Sequence, residues 1–225
     1  MADKFLKYDF GEGVEAFSTG KDTTLPYEVV LGDQIHDIKT TVIRSENPSI
    51  EQLTGTDALV TNIKGVAIGV RTADCIPILL YDQAKQAIAA IHAGWKGTLR
   101  RIVNSCLNTM YTEYGSEARN IIAQIGPGIS RESFQVGEEV AMNFKDLGFP
   151  IDLIYSWCGG KEDSKIETGH HIDLVAANKW LLEQAGVPAS RIRSCGIDTF
   201  TDSSFYSARR DGFDCGRNIS VIKLV

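Results

Sequence analysis

The sequence has 225 residues, 43% of them hydrophobic and 23% charged, which fits a single globular core and excludes a disordered chain. Net charge is -6 and the isoelectric point is near 5.3, which argues against a duplex nucleic-acid binder. A small anion is still compatible with this charge, because a few local arginines suffice to hold one. The five cysteines (Cys75, Cys106, Cys158, Cys195 and Cys215) are odd in number and form no C-x-x-C pair. Free thiols in a reducing, cytoplasmic compartment are therefore expected rather than a disulfide framework. The N-terminus carries no apolar leader core, and no stretch reaches the roughly 20 apolar residues of a membrane helix.

In chain order, residues 1–31 read as short strands and turns. The β-branched run 33–44 predicts a strand with Ile35, Asp37 and Thr41 on one face and His36 on the other. Residues 45–55 read as a loop, and 56–63 and 66–72 as buried strands. From Arg71 to Gly97 two apolar runs, Ile76–Leu80 and Ala87–Ile91, are edged by Asp74, Cys75 and His92 and followed by Ala93-Gly94-Trp95-Lys96-Gly97. From Thr98, apolar residues at 99, 102, 103, 106, 107 and 110 predict an amphipathic helix ending near Gly115.

Ile121 to Gly126 predicts a strand running into the loop Gly126-Pro127-Gly128-Ile129-Ser130, and Val136 to Leu147 a helix. Residues 155–170 read as a surface loop, with His170 and His171 exposed at its end. Asp173 reads as the N-cap of a helix over 174–185. Residues 191–197 predict a strand, 205–218 a polar loop with three arginines, and 219–225 a last strand. Strands occur both in runs and alternating with helices, which predicts a mixed sheet with helices packed against it, an α+β or mixed α/β fold, in one domain over residues 1–225.

Three of the reactive side chains, His36, Cys75 and His92, are two imidazoles and a thiol separated by 39 and 17 residues. Such a set with one open position suits catalytic zinc, although its ligands can meet only through the fold. The same atoms also allow a cysteine hydrolase, with Cys75 as nucleophile and His92 as base. His36 separates the two readings, since a metal needs it and a dyad does not. His92 to Thr98 leads into the predicted helix, where free N–H groups and Lys96 could hold phosphate. Arg71, Arg209, Arg210 and Arg217 could clamp an anion, Arg71 foremost because it ends a strand just before Cys75. Trp95 among small residues could wall a pocket and stack a planar ligand. Asp74, beside Cys75, is a candidate for proton transfer or for orienting a ligand.

The segments T-A-D-C-I-P-I-L-L-Y-D, A-A-I-H-A-G-W-K-G-T, I-G-P-G-I with F-Q-V-G-E-E-V, H-I-D-L, and F-Y-S-A-R-R-D-G with G-R-N resemble the laccase-domain family, also called the polyphenol-oxidase or YfiH-type family. They follow family order over most of residues 56–225. The resemblance implies a zinc-dependent purine nucleoside phosphorylase acting on adenosine, inosine, guanosine or methylthioadenosine, with adenosine deaminase activity. It implies an α+β fold of mixed β-sheets layered against helices, with nucleosides and phosphate as partners; the acidic charge argues against nucleic acid and the lack of a long apolar stretch against a membrane, and a monomer or homodimer is expected. The metal ligands it implies are His36, Cys75 and His92. Copper is the lesser metal alternative, tied to the older polyphenol-oxidase label. The sequence departs from the family at F-S-T-G-K, where an expected arginine is Gly20 or Lys21, and only Lys21 to Asp33 fills the gap before the first histidine.

Overall fold

The computed structural model describes residues 5–158 and 168–225. Two large sheets and a helical layer form a three-layer stack. The six-stranded middle sheet runs in the order Ile192–Ser194, Ile121–Ile125, Ile76–Asp82, Ala87–Ala93, Ala58–Thr61 and Thr40–Val42. A five-stranded sheet, ordered Phe5–Lys7, Val14–Thr19, Asn218–Leu224, Ala67–Thr72 and Val30–Leu31, covers one face of it. Both sheets mix parallel and antiparallel pairs. A small third sheet is ordered Gln135–Val136, Gly169–Ile172 and Tyr155–Cys158. The fold class is α+β with mixed sheets against helices, as the family resemblance implies.

The layering follows from side-chain alternation. Ile76, Ile78, Leu80, Ala87, Ala89, Ile91 and Ala93 join the core shared with the helices. Leu79, Tyr81, Ile88 and Ala90 face the other way and meet Ile68, Val70 and Ile222 of the five-stranded sheet. Every residue of the two central strands is buried, which is why they read as unbroken apolar runs. Asp82 closes their hairpin by accepting from the N–H groups of Ala84 and Lys85, at 2.9 and 3.3 Å.

Several elements differ from the sequence reading. The strand expected over 33–44 is only Thr40–Val42. His36 sits before it in a loop at φ 64°, because the Asp57 carboxylate draws in the backbone of residues 35–37. The helix expected from Thr98 is two helices, Trp95–Leu99 and Ile102–Tyr114, broken at Arg101 (φ 61°). The Arg101 guanidinium lies over the rings of Phe149 and Trp180 and donates to the Leu147 carbonyl, which holds the chain out of helical register. Gly115 ends the second helix in the left-handed conformation. The helix expected over 136–147 is Glu138–Asp146, and Leu147, at its C-cap, is exposed while Val140 and Phe144 are buried.

His170 and His171 lie in the strand Gly169–Ile172, not in an exposed loop. His171 is fully buried, with Nδ1 at 2.9 Å from the Arg131 carbonyl. Of the expected 155–170 loop, Tyr155–Cys158 is also a strand, paired with Gly169–Ile172, and residues 159–167, Gly159-Gly160 among them, lie outside the described residues. Short helices, Ile50–Leu53 and Ala208–Asp211, interrupt the expected loops 45–55 and 205–218. Asp173 does cap the helix Leu174–Gln184, accepting from the Ala176 N–H at 2.8 Å. No described helix is long and apolar enough to cross a membrane.

Candidate metal centre

The layer between the two large sheets is apolar along most of its length and turns polar at one end. Two residues beyond Ala90 on the same strand face stands His92. Two residues beyond Val70 on the facing strand stands Thr72. The turn Ala73-Asp74-Cys75 joins the sheets at this end and presents Cys75. The loop around His36 closes over it. The ligand atoms of His36, Cys75 and His92 all lie within 4.8 Å of one another. The two imidazole rings meet edge to face at 4.8 Å.

Asp57, which the sequence reading did not single out, fixes two of these three residues. It is fully buried at the start of the strand Ala58–Thr61. Its Oδ1 accepts from His92 Nδ1 at 2.7 Å and from the His36 N–H at 2.9 Å. Its Oδ2 accepts from the Ile35 and Asp37 N–H groups at 3.1 and 2.9 Å. Because Nδ1 of His92 donates to this carboxylate, its Nε2 is the nitrogen left for a ligand. The signal in the sequence is a carboxylate immediately before the apolar run Ala58-Leu59-Val60 of a buried strand, a position that burial forbids without partners.

Asp74 stands at φ 86° and is buried. Its Oδ1 accepts from Thr199 Oγ1 and its Oδ2 from the Arg209 N–H, both at 2.7 Å. Its carbonyl accepts from the Ile129 N–H at 2.8 Å. The carboxylate thus ties the Cys75 turn to two distant loops. The Gly126-Pro127-Gly128 loop braces the same turn: a Cβ at Gly128 would come within 2.4 Å of Ile76 Cδ1. At Gly94 a Cβ would come within 3.0 Å of both Cys75 Sγ and His36 Cδ2, so any side chain there would crowd the site.

Electrostatics couple the three residues. Burial opposes charge on Cys75, yet the facing His92 and His36 outweigh it and hold the thiol below its ordinary range. Burial also opposes charge on His92, but the Cys75 thiolate and the Asp57 carboxylate prevail and raise it. Asp57 is held low despite burial by His92 and the backbone N–H groups it accepts from. A thiolate beside two imidazoles, one locked in its tautomer by a carboxylate, fits a metal of borderline softness. His36, Cys75 and His92 would supply the three protein donors of a catalytic zinc site.

The trio forms part of the wall of a cleft of about 810 Å³, within the range of about 300–1,000 Å³ for small-molecule sites. Arg71, Asp74, Trp95 and Arg209 line it as well, together with Phe134, Phe213 and Arg217. Arg71 Nη2 donates to the Gly32 carbonyl at 2.9 Å and Arg209 Nη2 to the Gln135 carbonyl at 2.8 Å, which orients both guanidinium groups. Arg217 donates to the Phe213 carbonyl at 2.9 Å. Lys96 is exposed, is not among the lining residues, and carries its ammonium over the Trp95 ring at 5.5 Å. Arg210 is spent on the carbonyls of Thr199, Phe200 and Phe205. The glycine loop leads into a helix of only five residues, which weakens the dipole expected there for phosphate. Lys21, where an arginine was expected, pairs with Asp211 at 3.1 Å.

A family model described as multi-copper polyphenol oxidoreductase laccase matches residues 18–225. A purine nucleoside phosphorylase of Bacteroides thetaiotaomicron is 40% identical over 208 residues, covering 89% of this chain and 74% of the relative. Adenosine deaminase RL5, from an unknown prokaryotic organism, is 37% identical over 204 residues, covering 87% and 74%. The crystal structure of a Bacillus licheniformis hypothetical protein, YfiH, superposes with a TM-score of 0.85 at 24% identity, covering 100% of this chain and 97% of that one. YlmD from Geobacillus stearothermophilus gives 0.83 at 22% identity, covering 100% and 97%. These two likenesses speak for the fold.

Proposed function

This chain belongs to the multi-copper polyphenol oxidoreductase laccase family, and on that premise we propose that it is a metal-dependent purine nucleoside enzyme. Its reactions are phosphorolysis of the glycosidic bond of adenosine, inosine, guanosine or methylthioadenosine, and deamination of adenosine. The observation that carries this reading is the convergence of His36, Cys75 and His92 in a cleft that also holds arginines and aromatic rings. The relatives named purine nucleoside phosphorylase and adenosine deaminase support it.

His36, Cys75 and His92 are the ligands in this proposal, and zinc is the metal their number and softness favour. Bound there, it would supply Lewis acidity and lower the pKa of a bound water from about 15.7 toward about 7. Asp57 keeps His92 in the tautomer that ligates and holds the His36 loop in place. Arg71 and Arg209 position phosphate in line with C1′, so that the bond to the purine breaks as the bond to phosphate oxygen forms. Trp95 and Phe134 offer faces to the base. We assign Asp74 to fixing the Cys75 turn, since both its carboxylate oxygens already accept hydrogen bonds. Lys96 leaves the proposed phosphate set because it lies outside the cleft lining.

A cysteine hydrolase is the second reading, and one feature favours it: Asp57, His92 and Cys75 are aligned as acid, base and nucleophile. His36 has no role in that reading. A multi-copper oxidase is less well supported, because the chain has four histidines and two of them, His170 and His171, belong to another sheet. The test is phosphate-dependent release of base from adenosine and inosine, with ammonia release from adenosine, before and after chelation. Activity lost on chelation and restored by zinc supports the proposal. Chelator-insensitive turnover that iodoacetamide abolishes would replace it with the hydrolase.

A further inference from the structure

Thr72 has no part in the chemistry assigned so far, and it is unusual in its surroundings. Its side chain is 2% exposed, yet its Oγ1 has no hydrogen-bond partner among the described residues. A buried hydroxyl left unpaired is unfavourable, and such groups are ordinarily satisfied. Ser18 and Thr61, buried hydroxyls of the same two sheets, follow that rule: Ser18 bonds Ser220 at 2.6 Å, and Thr61 donates to the Ile43 carbonyl at 2.9 Å. Thr72 also lines the cleft with Arg71, Arg209, Arg217 and the three candidate ligands. It continues the Ile68, Val70 face of its strand, and His92 continues the Ile88, Ala90 face of the strand opposite. The hydroxyl therefore belongs to the metal end of the inter-sheet layer.

We infer that Thr72 is a binding residue whose hydroxyl hydrogen-bonds an oxygen of the phosphate that the enzyme uses. This rests on the phosphorolysis reading above. Phosphate is the co-substrate that fits, because its oxygens accept from a hydroxyl and its charge suits a cleft with three arginines. The residue serves the ligand at the expense of the free protein, where the hydroxyl is buried without compensation.

The test compares wild type, Thr72→Val and Thr72→Ser in two assays. Inorganic phosphate is titrated calorimetrically into zinc-loaded protein, and urea unfolding is followed without phosphate. Thr72→Val should bind phosphate about tenfold more weakly, the effect of losing one hydrogen bond to a charged oxygen. Thr72→Ser should stay within about threefold of wild type. Thr72→Val should also unfold no more easily than wild type, because it removes an unpaired polar group. Unchanged phosphate affinity in Thr72→Val, or loss of stability with affinity intact, overturns the assignment; so does a wild type that binds no phosphate. Phosphate binding that depends on Thr72 without any base release would leave the assignment standing and sink the phosphorolysis reading. Base release with a Thr72→Val affinity equal to wild type would do the reverse.

Discussion

The two faces of the six-stranded sheet are built to different rules. Toward the helices, Ile76, Ile78, Leu80, Ala87, Ala89, Ile91 and Ala93 are all buried and apolar, and the face turns polar only at Asp82, which closes the hairpin turn. Toward the five-stranded sheet, the apolar pattern runs through Ile88 and Ala90 and then gives way to His92, opposite a strand where Val70 gives way to Thr72. Both faces share the same backbone. His92 therefore inherits the rigidity of the apolar face, while the Cys75 turn and the His36 loop, tied down by Asp74 and Asp57, complete the chemical end.

The comparison can be broken from either side. Truncating the apolar face with Ile78→Ala should lower stability by about 2–5 kcal/mol while metal stoichiometry stays intact; urea unfolding and metal analysis read the two separately. Loss of metal in that variant would show that the two faces are not independent. On the chemical side, Asp57→Asn should weaken zinc binding about 10- to 100-fold, measured by competition with a chromophoric chelator. An unchanged affinity would remove Asp57 from the account.

A third prediction concerns pH in the metal-free protein. The Cys75 thiol is lowered by its imidazole neighbours, so its thiolate is present above that lowered value and is lost as pH falls through it. Iodoacetamide should thus label Cys75 at neutral pH and below the ordinary thiol range, while Cys106, raised by burial, stays unlabelled. Peptide mapping checks which thiol reacts. The smallest effect belongs to Lys96→Ala. Stability and phosphate affinity should change by less than about 0.5 kcal/mol, since its ammonium is exposed over Trp95. A large loss of phosphate affinity would return Lys96 to the anion site.

The layered fold was legible in the sequence because the two central strands are buried on both faces and read as continuous apolar runs. The hairpin carrying Cys75 and His92 was legible for the same reason. The His36 loop was not: β-branched residues there favour a strand, and a carboxylate twenty-one residues later, Asp57, overrides them by accepting three backbone N–H groups. The break at Arg101 was hidden as well, because aromatic partners at Phe149 and Trp180 impose it from across the fold. Thr72 could be placed at a strand end from sequence, but that its hydroxyl lacks a partner is a property of the packed layer alone. Periodicity records which face is buried; it does not record which distant group overrides it.

The central claim is that three residues far apart in sequence form one metal site, and His36 is the member that only the metal reading requires. Titrating zinc into metal-free wild type and His36→Ala, with stoichiometry read by elemental analysis after gel filtration, tests it most directly. The account predicts one zinc per chain in wild type and none retained in His36→Ala, with both proteins folded by circular dichroism. One zinc per chain retained in His36→Ala would contradict it.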